Sequence, residues 1–116
     1  MTVKLVLLKS GEDIITDIQE MVVDEKVVGY FLDCPHRIKL ISDAPKSGNT
    51  KYRSRIQILP WMPLSKNRTI PIPSDWVVTI TEPVDNLREL FVERLEKINE
   101  SENLGDAEQP DSPESD

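Results

Sequence analysis

The sequence holds one cysteine, one histidine, four glycines and only six Phe, Trp or Tyr residues in 116. The single thiol, Cys34, forms no intrachain disulfide, so nothing points to an oxidising compartment and the cytoplasm is the default location. One His and one Cys make no Cys/His metal cluster, and no metal site is expected. The phosphate-cradling G-x-x-x-x-G-K, the dinucleotide G-x-G-x-x-G and the nucleophile-elbow G-x-S-x-G are all missing. No cofactor is implied, and the chain reads as non-enzymatic. The longest fully apolar run is four residues, Leu5 to Leu8, against the roughly 20 that span a bilayer. No secretory apolar segment follows Met1, so no membrane partner is expected.

What is present is an uneven charge. Twenty-one Asp and Glu oppose 14 Lys and Arg, for a net charge of −7. Residues 99–116 contain seven acids and no base, so the whole net charge lies there. A segment that is acidic, rich in Ser and Pro and poor in large apolar side chains buries too little surface to offset its ordering entropy. It reads as a disordered tail on a folded domain of residues 1–98.

The first 80 residues carry short β-branched and apolar runs separated by turn chemistry, with no sustained helical period. They predict strands at Val3 to Lys9, Asp13 to Val23, and Val27 to Leu32, the last interrupted or bulged by Pro35 before resuming at Arg37 to Ile41. Gly11 supplies the positive φ of the first turn, and Asp24-Glu25-Lys26 forms the next. After a loop at 42–51, Tyr52 to Leu59 alternates as a half-buried strand, with Ile56 and Ile58 on one face and Arg53, Arg55 and Gln57 on the other. Four prolines make residues 60–75 irregular and extended, and Trp76 to Thr81 is a fifth strand. After Pro83 the period becomes helical, with Val84, Leu87, Phe91, Leu95 and Ile98 at steps of three and four and Asp85 as N-cap. The expected fold is all-β: a small, strongly bent five-stranded antiparallel sheet or barrel, with a C-terminal α-helix over about residues 84–98.

Two segments resemble the Sm-like proteins, particularly the divergent Sm-like proteins of marine phages. Leu7-Leu8-Lys9-Ser10-Gly11-Glu12-Asp13-Ile14-Ile15 is similar to the family's first hairpin, and Ile72-Pro73-Ser74-Asp75-Trp76-Val77-Val78-Thr79-Ile80 to its second motif. Pro73 and Ser74 stand where the family usually has the Arg and Gly of its base pocket, Trp76 where it has Asn, and Val28 about where a base-contacting Asn belongs. The resemblance implies an Sm-like barrel whose fourth strand pairs with the fifth strand of the next subunit. The product is a homo-oligomeric ring of five to seven copies in the cytoplasm, the host's if the chain is phage-encoded. Ile56, Ile58, Trp76, Val78 and Ile80 would lie at that interface.

Residues 37–68 carry eight bases against one acid, Asp43. If Ile38 pairs opposite Ser54, then Arg37 and Lys39 share a strand face with Arg53 and Arg55. That patch, with Lys51 and the aromatic Tyr52 beside it, is the candidate contact for single-stranded RNA. The alternatives are an ordinary solvated strand face whose bases pair with acids of the second strand, or a contact for an acidic protein. Trp61 is a second candidate stacking residue, although core packing accounts for it as well. Cys34-Pro35-His36 suggests a thiol and imidazole pair, but side chains two apart on a strand lie about 7 Å from each other, too far for a direct bond. Glu12-Asp13 and Asp24-Glu25 fall at turns, where acids are normally just solvated. Two functions are therefore expected: a non-enzymatic Sm-like ring that binds single-stranded RNA or serves as an RNA-associated assembly platform, or a small β-barrel structural or adaptor module, as in phage assembly, that makes only protein contacts.

Overall fold

A computed structural model describes residues 1–43 and 53–108. In order along the chain are β1 (Val3–Leu8), β2 (Asp13–Val23), β3 (Lys26–Asp43), β4 (Arg53–Pro60), β5 (Thr69–Pro73), a 3₁₀ turn (Ser74–Trp76), β6 (Val77–Thr81) and α1 (Asp85–Glu108). The strands pair antiparallel along the path β4-β3-β2-β1-β6, and β5 lies beside the first half of β3. The sheet-rich architecture with one C-terminal helix is as expected. The five-stranded barrel is not: there are six strands, and the sheet stays open, with β4 and β6 at the ends of the path.

The extra strand is β5, within a segment whose prolines predicted irregularity. Pro71 and Pro73 have no N–H to give, but they alternate, so the ladder to Tyr30 and Leu32 of β3 runs through Ile72 and Ile70. Both prolines then fall on the open side of β5, where a missing donor breaks no internal bond.

Turn chemistry sets the first two hairpins. Gly11 has φ 90°, and its N–H donates to the Leu8 carbonyl at 2.8 Å. Asp24 and Glu25 are both left-handed, at φ 52° and 65°, and make a two-residue turn between the paired Val23 and Lys26.

The decisive irregularity lies in the middle of β3. Ile15 of β2 faces His36, but Asp17 faces Asp33, so Cys34 and Pro35 together oppose the single residue Thr16. This is a β-bulge, and Cys34 takes it up with a left-handed φ of 52°. The inserted residue reverses the alternation of β3. Leu32 packs into one core with Val6, Leu8, Ile14, Ile18 and Ile72. Cys34 and the half-buried Ile38 belong to the other, with Val3, Ile15, Ile58 and the helix residues Leu87, Phe91 and Leu95. One bent sheet thus fills two cores, one on each face.

The helix presents Leu87, Phe91 and Leu95 to the sheet as the spacing predicts. Two details differ. The Arg88 N–H bonds to the Val84 carbonyl at 3.0 Å, so Asp85 lies in the first turn, where its charge complements the helix dipole, and does not cap the helix. The helix also runs ten residues past Ile98, so residues 99–108 of the acidic segment are helical, and residues 109–116 lie outside the described residues. Arg68 supplies a physical reason, since it bonds the side chains of Asn99 and Glu102 one turn beyond Ile98. No described helix is long and apolar enough to cross a membrane.

β3 and β5 approach closely at Gly29, where an added Cβ would lie 2.5 Å from the Ile72 carbonyl oxygen. Backbone cannot rotate aside as a side chain can. Gly29→Ala is therefore expected to cost about 1–3 kcal/mol in urea unfolding, the usual range for overpacking, and an unchanged midpoint would contradict this close approach.

Candidate functional site

The first candidate is the outer face of the β3–β4 hairpin. Its register is Ile38 opposite Ile58, four residues from the expected pairing with Ser54. Because four is even, the face assignment is unchanged while the positions slide: Arg37 opposes Leu59, Lys39 opposes Gln57, and Arg55 opposes Ile41. Arg37, Lys39 and Arg55 are all exposed on this face, spread along the hairpin as a strip. Arg53 stands opposite Asp43, the one acid of the basic stretch. Lys51 and Tyr52 lie outside the described residues.

The expected interface residues divide. Trp76 and Val78 are exposed, at 43% and 57%, on the turn before β6 and on β6 itself. Ile56 and Ile80 are half-buried, and the Ile58 side chain is buried under the helix, so β4 offers its backbone edge at that position.

A second site was not legible in the sequence. The segment after β4 closes over the bulge, and between them lies a cleft of about 370 Å³ bordered by the helix at Ile98 and Glu102. Hydrogen bonds from this segment satisfy the backbone that the bulge releases: the Cys34 N–H donates to the Arg68 carbonyl and the Trp61 N–H to the Pro35 carbonyl, both at 3.0 Å. The Thr16 hydroxyl lies 3.0 Å from the Asp33 carbonyl on the other side. The indole N–H of Trp61 donates to Glu12 at 3.3 Å, which gives this turn carboxylate a positioning role beyond solvation.

His36 is buried at the cleft. Its Nδ1 lies 2.8 Å from the Cys34 carbonyl, an acceptor, so Nδ1 carries the proton and Nε2 is left as a lone pair. Nε2 is buried and has no hydrogen-bond partner among the described residues. The ring packs edge-on against Phe91, with centroids 5.8 Å apart. Burial pushes the imidazole below its ordinary 6.5, helped by the nearby charge of Arg94 and opposed by the bond to Cys34. Burial also pushes the Cys34 thiol up to about 11, so it stays protonated at neutral pH and is no nucleophile. Among the described residues, no group of three or more His, Cys, Asp or Glu is placed to hold a metal ion.

Arg68 belongs to the basic stretch by sequence, yet its charge is engaged. Its Nε donates to both Asp33 oxygens, at 3.0 and 3.3 Å, and Nη1 to Asn99 at 2.6 Å and Glu102 at 3.1 Å. It offsets Asp33, which the register places opposite Asp17, whose own carboxylate accepts the Thr2 N–H at 2.9 Å.

Arg68→Ala is expected to cost about 1 kcal/mol, the low end for a charged hydrogen-bonded group because the side chains are partly exposed. It should also loosen the helix beyond Ile98, read as lost amide-exchange protection there, and full protection would contradict the role of Arg68. A pH dependence follows from His36. The unfolded chain takes up this proton near pH 6.5 and the folded chain only at lower pH, so between those values the unfolded state binds more protons and stability falls as pH falls. His36 is the only histidine, so His36→Phe should flatten the decline in thermal midpoint between about pH 7.5 and 5.5. An unchanged slope would remove His36 as its source.

Against known proteins, no family model matches the chain and no curated protein is significantly similar to it.

Proposed function

We propose that the chain is a non-enzymatic subunit of an Sm-like homo-oligomeric ring that binds single-stranded RNA. The observation that carries the RNA reading is the placement of Arg37, Lys39 and Arg55 on one exposed strand face. A strip of guanidinium and ammonium groups at strand spacing follows a phosphate backbone, and repetition around a ring makes it continuous.

The ring reading is supported by the edges. The two strands that end the pairing path, β4 and β6, are different surfaces, so joining one to the other is head-to-tail and closes by rotation. The outer side of β5 is a poor alternative, because Pro71 and Pro73 leave it acceptors where a reciprocal ladder needs donors. A 3₁₀ turn leading into the last strand, which returns to pair with β1, agrees with the resemblance of that segment to the second Sm motif.

The second reading is a structural or adaptor module with protein contacts only. It is favoured by the exposed apolar side chains of Trp76, Val78, Met62 and Leu64.

Light scattering at micromolar concentration should return a closed oligomer, and a stable monomer would remove the ring. In RNA titrations at low salt, Arg37→Ala with Lys39→Ala and Arg55→Ala should weaken binding at least tenfold. The same triple change should reduce the slope of log affinity against log salt by about 2, the value for three lost phosphate contacts to a single strand. Unchanged affinity and slope would favour the adaptor reading.

A further inference from the structure

Two groups of exposed apolar side chains stand at the two open edges of the sheet. Met62 and the fully exposed Leu64 follow the last residue of β4, and Trp76 and Val78 flank the first residue of β6. The first group is held in place by backbone: the Trp61 N–H bonds to the Pro35 carbonyl, and the Ser65 N–H closes a turn on the Met62 carbonyl at 3.1 Å.

The pairing within one chain fixes which peptide groups point outward. Because Trp61 bonds toward β3, alternation turns Arg55, Gln57 and Leu59 toward β3 as well, and the peptide groups of Ser54, Ile56 and Ile58 face out. On β1, Leu8 bonds toward Glu12, so Leu5 and Leu7 face Thr81 and Thr79 of β6, and the peptide groups of Val78 and Ile80 face out. Among the described residues no strand occupies the outer side of β4 or β6. Charge separates the edges: β4 carries Arg53 and Arg55 and no acid, whereas residues 74–85 carry Asp75, Glu82 and Asp85 and no base. Unlike edges therefore attract where like edges repel.

An antiparallel ladder needs outward residues opposite each other, and the whole of β6 fits against β4 with Ile56 opposite either Ile80 or Val78. Trp76 decides between them. Its carbonyl already accepts the Lys9 N–H at 2.9 Å, so it is poorly placed to pair with the outward donor of Ile58, as the second register requires. The first register instead sets it opposite Pro60, which has no donor to satisfy, and the ladder ends there.

We propose that the Met62-Pro63-Leu64 turn of one copy packs on Trp76 and Val78 of the next, as an apolar joint at the end of a β4–β6 ladder that sets Ile56 opposite Ile80. Ile58 then faces Val78 and Pro60 faces Trp76. Met62 follows on the diagonal to Trp76, about 7–8 Å away along the ladder, which long and aromatic side chains span. The joint rests on the reading of the chain as a ring subunit, and it covers with a second copy the same side chains that favour the adaptor reading.

Two variants of the full chain test it. Ser54→Cys with Glu82→Cys, directly opposite in this register and both exposed, should cross-link on oxidation into covalent multimers, whereas Ser54→Cys with Asp75→Cys should not. The buried, protonated Cys34 takes no part. Met62→Asp with Leu64→Asp should raise the concentration at which the ring dissociates about tenfold or more, read by light scattering on dilution. A ring that cross-links only through the Asp75 position would overturn the register. Dissociation unmoved by the two aspartates would overturn the joint and leave the ring standing. A wild-type monomer at micromolar concentration would remove the ring and the joint together.

Discussion

Everything in this fold depends on how the backbone at Cys34 and Pro35 is satisfied. A bulge in the middle of an 18-residue strand exposes peptide groups that the β2–β3 ladder no longer pairs. Here each finds a specific partner: the Asp33 carbonyl meets the Thr16 hydroxyl, the Cys34 N–H bonds to Arg68, the Cys34 carbonyl takes the His36 proton, and the Pro35 carbonyl takes the Trp61 N–H. These bonds fold the segment after β4 back over β3 and so create the cleft. They also hold in place the reversal of alternation that lets one strand feed two cores. Without the inserted residue, Ile38 and Leu32 would face the same side, and β3 could not contribute to both cores.

Electrostatics follows from that folding back. The basic stretch of residues 37–68 carries an excess of seven charges in sequence, but the fold uses part of that excess for itself. Arg68 is drawn to Asp33 and to the helix, where it bonds Asn99 and Glu102 of the acidic segment. Arg37, Lys39 and Arg55 stand exposed on the face of the sheet away from the helix.

Proline has a comparable double effect. At Pro35 the missing N–H falls inside the bulge, where no ladder bond is lost. At Pro71 and Pro73 it falls on the outer side of β5, which blunts one edge, while β4 and β6 end the pairing path.

Local features were written in the chain. The limits of β2, the Gly11 turn, the disturbance at Pro35 and the stripe of Leu87, Phe91 and Leu95 all follow from periodicity and turn chemistry acting over a few residues. Period two also placed Arg37, Lys39 and Arg55 on one face, since a register error of four residues cannot move a side chain across the sheet. Tertiary structure alone decided the register itself, the sixth strand, the helical state of residues 99–108 and the cleft with its unpaired imidazole. Each of these depends on partners far apart in sequence, such as Trp61 with Pro35 or Arg68 with Glu102, and local propensity carries no record of which distant donor will meet which acceptor.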